Sequence, residues 1–178
     1  MQIEFGVIDV NGEELQELRT KMCKTKDFLS DKPTVYIASP FFTPEAVAEV
    51  EEMKKLLKVR GFAVFSPKDD NLVARDADEK AKRNGFIRNI VEIEFCDFMV
   101  CNTRDKDMGS LLEAGYALAY KKPVIYFCQG LEGDFNLMLA MSGHGVATSY
   151  KELEELLSWY SKETREFKKR TKFGGRIE

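Results

Sequence analysis

Thr34-Val35-Tyr36-Ile37-Ala38-Ser39, followed after a short gap by Thr43-Pro44-Glu45, is the stretch that sets the fold class. The six leading residues form a β-rich run entered from Pro33. Thr43 then offers a side-chain oxygen to cap a helix, and a proline suits the first helical position, where its missing N–H would have no partner anyway. Apolar residues at Val47, Val50, Met53, Leu56 and Leu57 recur at helical spacing until Gly61 ends the run. A strand that passes directly into an amphipathic helix is the repeating unit of a parallel sheet, whose strands need long crossovers.

The unit recurs along the chain. FAVFS (62–66) reads as a second strand, DFMVC (97–101) as a third, PVIYFC (123–128) as a fourth and GVATS (145–149) as a weaker fifth. Between them, 86–95 and SLLEAGYALAYK (110–121) read as helices, and FNLMLAMS (135–142) as a short one. The polar stretch 67–85 is either a long loop or a loop running into a helix. Residues 150–169 are expected to form one charged amphipathic helix with Leu153, Leu156, Leu157 and Tyr160 on one face. The pattern predicts an α/β fold, a doubly wound, flavodoxin-like five-stranded parallel sheet with helices on both faces. Such sheets bind ligands at the carboxyl ends of their strands, here the loops after Ser39, Ser66, Cys101 and Cys128.

Residues 34–178 thus make one domain, and residues 1–33 stand apart as an extension for packing or an interface. Asn11 to Leu29 is expected to be a helix, with Asn11 as cap and Glu14 three residues on, while Ile3, Phe5 and Val7 alternate like a strand. The 27 basic and 30 acidic residues leave a net charge of -3, which provides no field for nucleic acid. No apolar run approaches the ~20 residues of a membrane span. The start of the chain lacks the pattern of a signal peptide, so a cytoplasmic protein is expected. Cys23, Cys96, Cys101 and Cys128 show no metal or disulfide spacing and are expected to be packed thiols. His144, the one histidine, has no evident partner, and the basic tail of Lys168, Lys169, Arg170 and Lys172 reads as a solvated helix end.

The chemistry concentrates in Asp105-Lys106-Asp107-Met108-Gly109-Ser110-Leu111-Leu112-Glu113, at the carboxyl end of the third strand. Ser110-x-x-Glu113 fits a capping box, in which the glutamate has a purely structural task. The same spacing equally places an anionic carboxylate in a first helical turn, facing a cleft and able to act as a nucleophile. Spacing alone leaves both readings open.

VYIASPFF (35–42), SPKDDN (66–71), IRNIVEIEFCD (87–97), DMGSLLEAGYALA (107–119) and FNLML (135–139) together resemble the nucleoside 2-deoxyribosyltransferase family. The resemblance implies an enzyme that transfers 2-deoxyribose between purine or pyrimidine bases by a ping-pong route through a deoxyribosyl-glutamate intermediate. It implies Glu113 as nucleophile and Tyr36 as the group that orients it. Asp107 would bind the sugar 5′-hydroxyl, and Asn136 and Met138 would be lent by a neighbouring subunit to the sugar pocket. Phe41 and Phe42 would flank the base, with ordinary core packing as their other reading. Asn71 stands where some members contact the base through glutamine.

Asn89 departs from the commonest pattern, which has an aspartate there, and resembles a protozoan branch with asparagine. An amide is no general acid, so base protonation would pass to Asp70 or to water. The implied partners are 2′-deoxynucleosides, free nucleobases and further copies of the chain in a homo-oligomer with shared sites. The C-terminal residues 173–178 are a second candidate for reaching a neighbour's site. No cofactor or metal is implied. A 5′-monophosphate N-glycosidase or nucleoside hydrolase is the alternative, although a carboxylate at Asp107 repels a phosphate. A non-catalytic nucleotide-sensing module is the more distant one.

Overall fold

The computed structural model describes residues 12, 13, 15–21 and 32–178. Five parallel strands form the sheet: β1 (Thr34–Ala38), β2 (Ala63–Phe65), β3 (Phe98–Asn102), β4 (Val124–Phe127) and β5 (Gly145–Ala147). Their order, β2-β1-β3-β4-β5, is the flavodoxin-like doubly wound arrangement. The connecting helices are α1 (Pro44–Val59), the single turn α2 (Pro67–Asp70), α3 (Glu79–Phe95), α4 (Met108–Ala119), the short α5 (Leu137–Ser142) and α6 (Tyr150–Ser158).

The two-residue period of β1 divides the core into two layers. Val35 and Ile37 pack with Val50, Met53 and Leu57 of α1 and with the leucines of α6. Tyr36 and Ala38 point to the other face and pack with Ile93 of α3 and with Ala114 and Ala117 of α4. Tyr36 is therefore committed to the α3–α4 side, which decides what its hydroxyl meets.

Thr43 caps α1 as expected, accepting from Ala46 N at 3.2 Å, and Gly61 follows the helix with φ of 80°. The ambiguous polar stretch is a turn, a loop and then the start of α3, capped by Asp78 well ahead of the apolar run that begins at Phe86. Most of the residues from 79 to 84 are exposed, so no apolar periodicity marked them as helix.

The expected helix over 150–169 is corrected. It ends at Ser158, and the chain turns into a hairpin, β6 (Tyr160–Ser161) against β7 (Glu166–Phe167). Tyr160 and Phe167 meet edge to face at 5.0 Å, and each packs on Phe98. This aromatic packing overrides a helical propensity that is individually weak. The basic tail is likewise no helix end: Arg170 donates to the carbonyls of Gly143 and Met141, and the Lys169 ammonium lies 3.5 Å from the Trp159 ring centre.

In the extension, residues 13 and 15–21 are helical. Leu15 is buried against Ile87, Ile90 and Val91, and Arg19 pairs with Glu94 at 2.6 Å and donates to the Tyr120 hydroxyl at 3.1 Å. The cap at Asn11, the alternation at Ile3, Phe5 and Val7, Cys23 and the expected helix end at Leu29 lie outside the described residues. Cys96 and Cys101 are buried, and Cys128 is half-buried. No helix among the described residues is long and apolar enough to cross a membrane.

Candidate active site

Glu113 reaches the site from α4, and the start of that helix differs from expectation. Its cap is Asp107, whose Oδ2 accepts from both the backbone N and the hydroxyl of Ser110 at 2.7 Å. Ser110 is therefore not a cap, and Glu113 belongs to no capping box. It stands in the second turn, where the helix dipole has largely faded. Asp107 wins the cap because its carboxylate makes two hydrogen bonds where a serine hydroxyl makes one. Gly109 keeps space for it, since a Cβ there would lie 3.3 Å from Asp107 Oδ2.

The Glu113 carboxylate is held through one oxygen. Oε1 accepts from the Tyr36 hydroxyl at 2.8 Å and from the Asn89 amide at 3.1 Å. Neither donor carries a charge. Burial pushes the Glu113 carboxyl up to about 7; the Tyr36 hydrogen bond offsets part of that rise, the Asp107 charge adds to it, and the Asn89 hydrogen bond opposes it. Burial, with Glu113 beside it, raises the Tyr36 phenol well above its ordinary value and keeps it a donor. Tyr36 itself is fully buried and stacks on Phe65 at 5.3 Å.

Asn89 is in turn fixed by Asn71, whose amide nitrogen donates to Asn89 Oδ1 and to Gly85 O, both at 2.7 Å. Gly85 makes room for the neighbouring Val73, since a Cβ there would lie 2.3 Å from Val73 Cγ2. The two asparagines form a relay from the β2–α3 loop to the carboxylate. The groove beside the relay, about 1320 Å³, runs between Glu13, Gln16 and Lys21 of the extension and Asn71, Val73 and Arg88.

Tyr36, Asn71, Asn89, Asp107 and Glu113 are thus gathered at the carboxyl ends of β1, β2 and β3. Asp70 accepts from Ser66 N through Oδ2 at 2.8 Å. Phe41 and Phe42 follow β1 with ring centres 4.9 Å apart, and Phe42 is 76% exposed, so core packing does not describe it. Asn136 and Met138 are not brought to Glu113 by any hydrogen bond within the described chain. Asn136 caps α5 through Leu139 N at 3.2 Å and is exposed, as is Met138. Residues 173–178 fold back beside them: Leu137 N donates to Glu178 O, and Phe135 pairs with Ile177. His144 lies apart from the site, its Nε2 on Lys169 O at 2.9 Å and its ring on Phe167.

One buried group escaped the sequence reading. Glu49, on the inner face of α1, meets Asn102 and Arg104 at the end of β3. Its position three residues after Ala46 and four before Met53, both buried, was the available signal.

Among curated protein sequences none matches the chain. Among solved structures, the 2-deoxyribosyltransferase of the psychrotolerant bacterium Bacillus psychrosaccharolyticus is similar, with a TM-score of 0.64 and 25% identity over 78% of this chain and 99% of that one. A conserved protein from Enterococcus faecalis V583 shares the fold, with a TM-score of 0.57 and 17% identity over 70% of this chain and 96% of that one. The family model for nucleoside 2-deoxyribosyltransferase matches residues 35–146, the segment that carries Tyr36, Asn89, Asp107 and Glu113. The chain belongs to the nucleoside 2-deoxyribosyltransferase family.

Proposed function

We propose that the protein transfers 2-deoxyribose between nucleobases, with Glu113 as the nucleophile. The observation that carries this reading is a carboxylate held at Oε1 by two neutral donors, with Oε2 unpartnered among the described residues. Oε2 attacks C1′ of a 2′-deoxynucleoside through an oxocarbenium-like transition state. The C1′–N bond breaks, its electron pair leaves with the base, and a C1′–O ester to Glu113 forms. A second base then donates a nitrogen lone pair to C1′, expels the carboxylate and loses its own N–H proton. Two displacements retain the configuration at C1′.

Tyr36 and Asn89 set the direction of attack, a gain in orientation rather than in charge. Asp107 keeps Oδ1 for the 5′-hydroxyl while Oδ2 caps α4. The proton for the departing base comes from Asp70 or from water, since Asn89 is an amide. A second copy of the chain supplies Asn136 and Met138, and the exposed Leu137, Met138 and Met141 of α5 become buried against it.

The test incubates the protein with thymidine and adenine and follows thymine and deoxyadenosine, alongside Glu113→Ala. Deoxyadenosine from the parent alone supports transfer. Thymine without deoxyadenosine replaces it with hydrolysis. No turnover of thymidine, deoxyinosine or deoxynucleoside monophosphates removes the enzyme reading.

A further inference from the structure

The Glu49 carboxylate sits beneath the β3–α4 turn with only 6% of the residue exposed. It accepts from Asn102 Nδ2 at 2.8 Å and from Arg104 Nε at 2.8 Å, and the Arg104 Nη2 donates to its other oxygen. This is a two-pronged guanidinium–carboxylate pair, the geometry that fixes direction as well as distance. Asn102, itself fully buried, also donates to Ser39 Oγ at the end of β1 and accepts from Arg104 N at 3.0 Å. Asp105 and Lys106 then adopt φ of 58° and 51°, a left-handed turn that side-chain-bearing residues enter only when their surroundings enforce it. Asp107 follows directly, its N–H donating to Arg104 O at 3.3 Å.

We propose that Glu49 is a positioning residue, which clamps Asn102 and Arg104 so that the strained turn delivers Asp107 to the sugar 5′-hydroxyl and sets the start of α4. It touches no substrate. The proposal rests on the reading of Asp107 given above. Its cause is geometric: the two consecutive left-handed residues are tied by one-turn backbone bonds, Lys106 N to Thr103 O at 3.1 Å and Asp107 N to Arg104 O at 3.3 Å, and the ion pair adds a constraint from outside the turn. Removing the carboxylate frees Arg104, which is 31% exposed at its side chain and is readily rehydrated. The turn then samples other conformations and Asp107 loses its direction.

The experiment compares the full-length parent with Glu49→Gln, Arg104→Gln and the double variant. It uses thymidine and its 5′-deoxy analogue as donors, with adenine as acceptor. Displacing a binding group by a fraction of an ångström to an ångström costs about 10- to 100-fold in kcat/KM. We expect about that loss for thymidine in each variant, less than twofold for the 5′-deoxy analogue, and no further loss in the double variant. Equal losses on both donors overturn the proposal, as does a double variant that loses the product of the two single effects.

Amide exchange supplies a readout independent of turnover. It should accelerate within 103–111, where Lys106 N, Asp107 N, Ser110 N and Leu111 N are bonded, and not in β4 or α6. Unchanged exchange overturns the clamp, and so does acceleration throughout the molecule. A parent indifferent to the 5′-hydroxyl overturns the role of Asp107 and this proposal with it. A parent inactive on every deoxynucleoside overturns the transferase reading, and exchange then judges the clamp by itself.

Discussion

Two glutamates stand near the carboxyl end of the same sheet, and their partners differ in kind. Glu49 faces a guanidinium and an amide, and its negative charge is answered by Arg104. Glu113 faces a phenol and an amide, and no cation is hydrogen-bonded to it among the described residues. An ion pair lowers the energy of a carboxylate and ties up its lone pairs, which makes a strut. Neutral donors orient a carboxylate without neutralising it, and burial then leaves it short of solvation. The Glu113 carboxyl is accordingly pushed up to about 7, with burial as the first cause. A basic, poorly solvated carboxylate with one free oxygen is what a displacement at carbon requires.

The largest expected effect comes from deleting the unpaired charge. Glu113→Gln keeps the shape and both hydrogen bonds through its carbonyl oxygen, yet removes the proposed nucleophile. Transfer should fall by about 10⁴-fold. Steady-state turnover of thymidine with adenine checks this, and a fall of less than tenfold would transfer the nucleophile's role to another group.

The same variant should be more stable than the parent in alkaline solution. The folded carboxyl sits at about 7 against 4.5 in the unfolded chain, so folding favours its protonated form. The associated stability is complete below pH 4.5 and is lost as pH rises through 7. At pH 8 the loss amounts to about 3 kcal/mol. Denaturant titrations should show Glu113→Gln ahead of the parent at pH 8 and level with it near pH 4. An equal gap at both values would contradict a buried, raised carboxyl.

Tyr36→Phe removes one of the two donors. Hydrogen bonds to charged groups contribute about 1.5–3 kcal/mol, so kcat/KM should fall about 10- to 100-fold. The acid limb of its pH profile should also move above 7, because the Tyr36 bond holds the Glu113 carboxyl down. A lower midpoint would contradict that assignment.

Asn89→Asp replaces a neutral donor by a second carboxyl 3.1 Å from Glu113 Oε1. Like charges so close cannot both ionise easily, so the pair should titrate in two steps, one of them above 7. Carboxylate titration by ¹³C NMR reads this directly. A single unshifted step would mean that Asn71 and Asn89 do not hold the carboxylate as described. If the new acid also protonates the base, kcat should gain on the poorer leaving groups, the smallest effect in this series.

Much of this was legible in the sequence, for reasons that differ by residue. Strands β1, β3 and β4 are buried on both faces, so their apolar runs stand out without neighbours. The first two turns of α3 are exposed and showed no period. The end of α6 was hidden because Leu153, Leu156, Leu157 and Tyr160 continue a helical stripe into residues that pack as a hairpin instead. At the site, family motifs nominated Glu113, Tyr36, Asn89 and Asp107. Motifs did not show that Asp107 displaces Ser110 as the cap, or that Asn71 and Asn89 act as a pair.

Local pattern determined the strand–helix alternation, because hydrophobic period and caps act within a few residues. That alternation, with the handedness of parallel crossovers, already pointed to the strand ends as the place for a site. Only the tertiary structure decided the partner of each carboxylate. Tyr36 and Glu113 are 77 positions apart, and Glu49 and Arg104 are 55. Whether a buried glutamate meets a phenol or a guanidinium depends on which strands lie side by side. That choice separates the proposed nucleophile from the proposed clamp, and no local period encodes it.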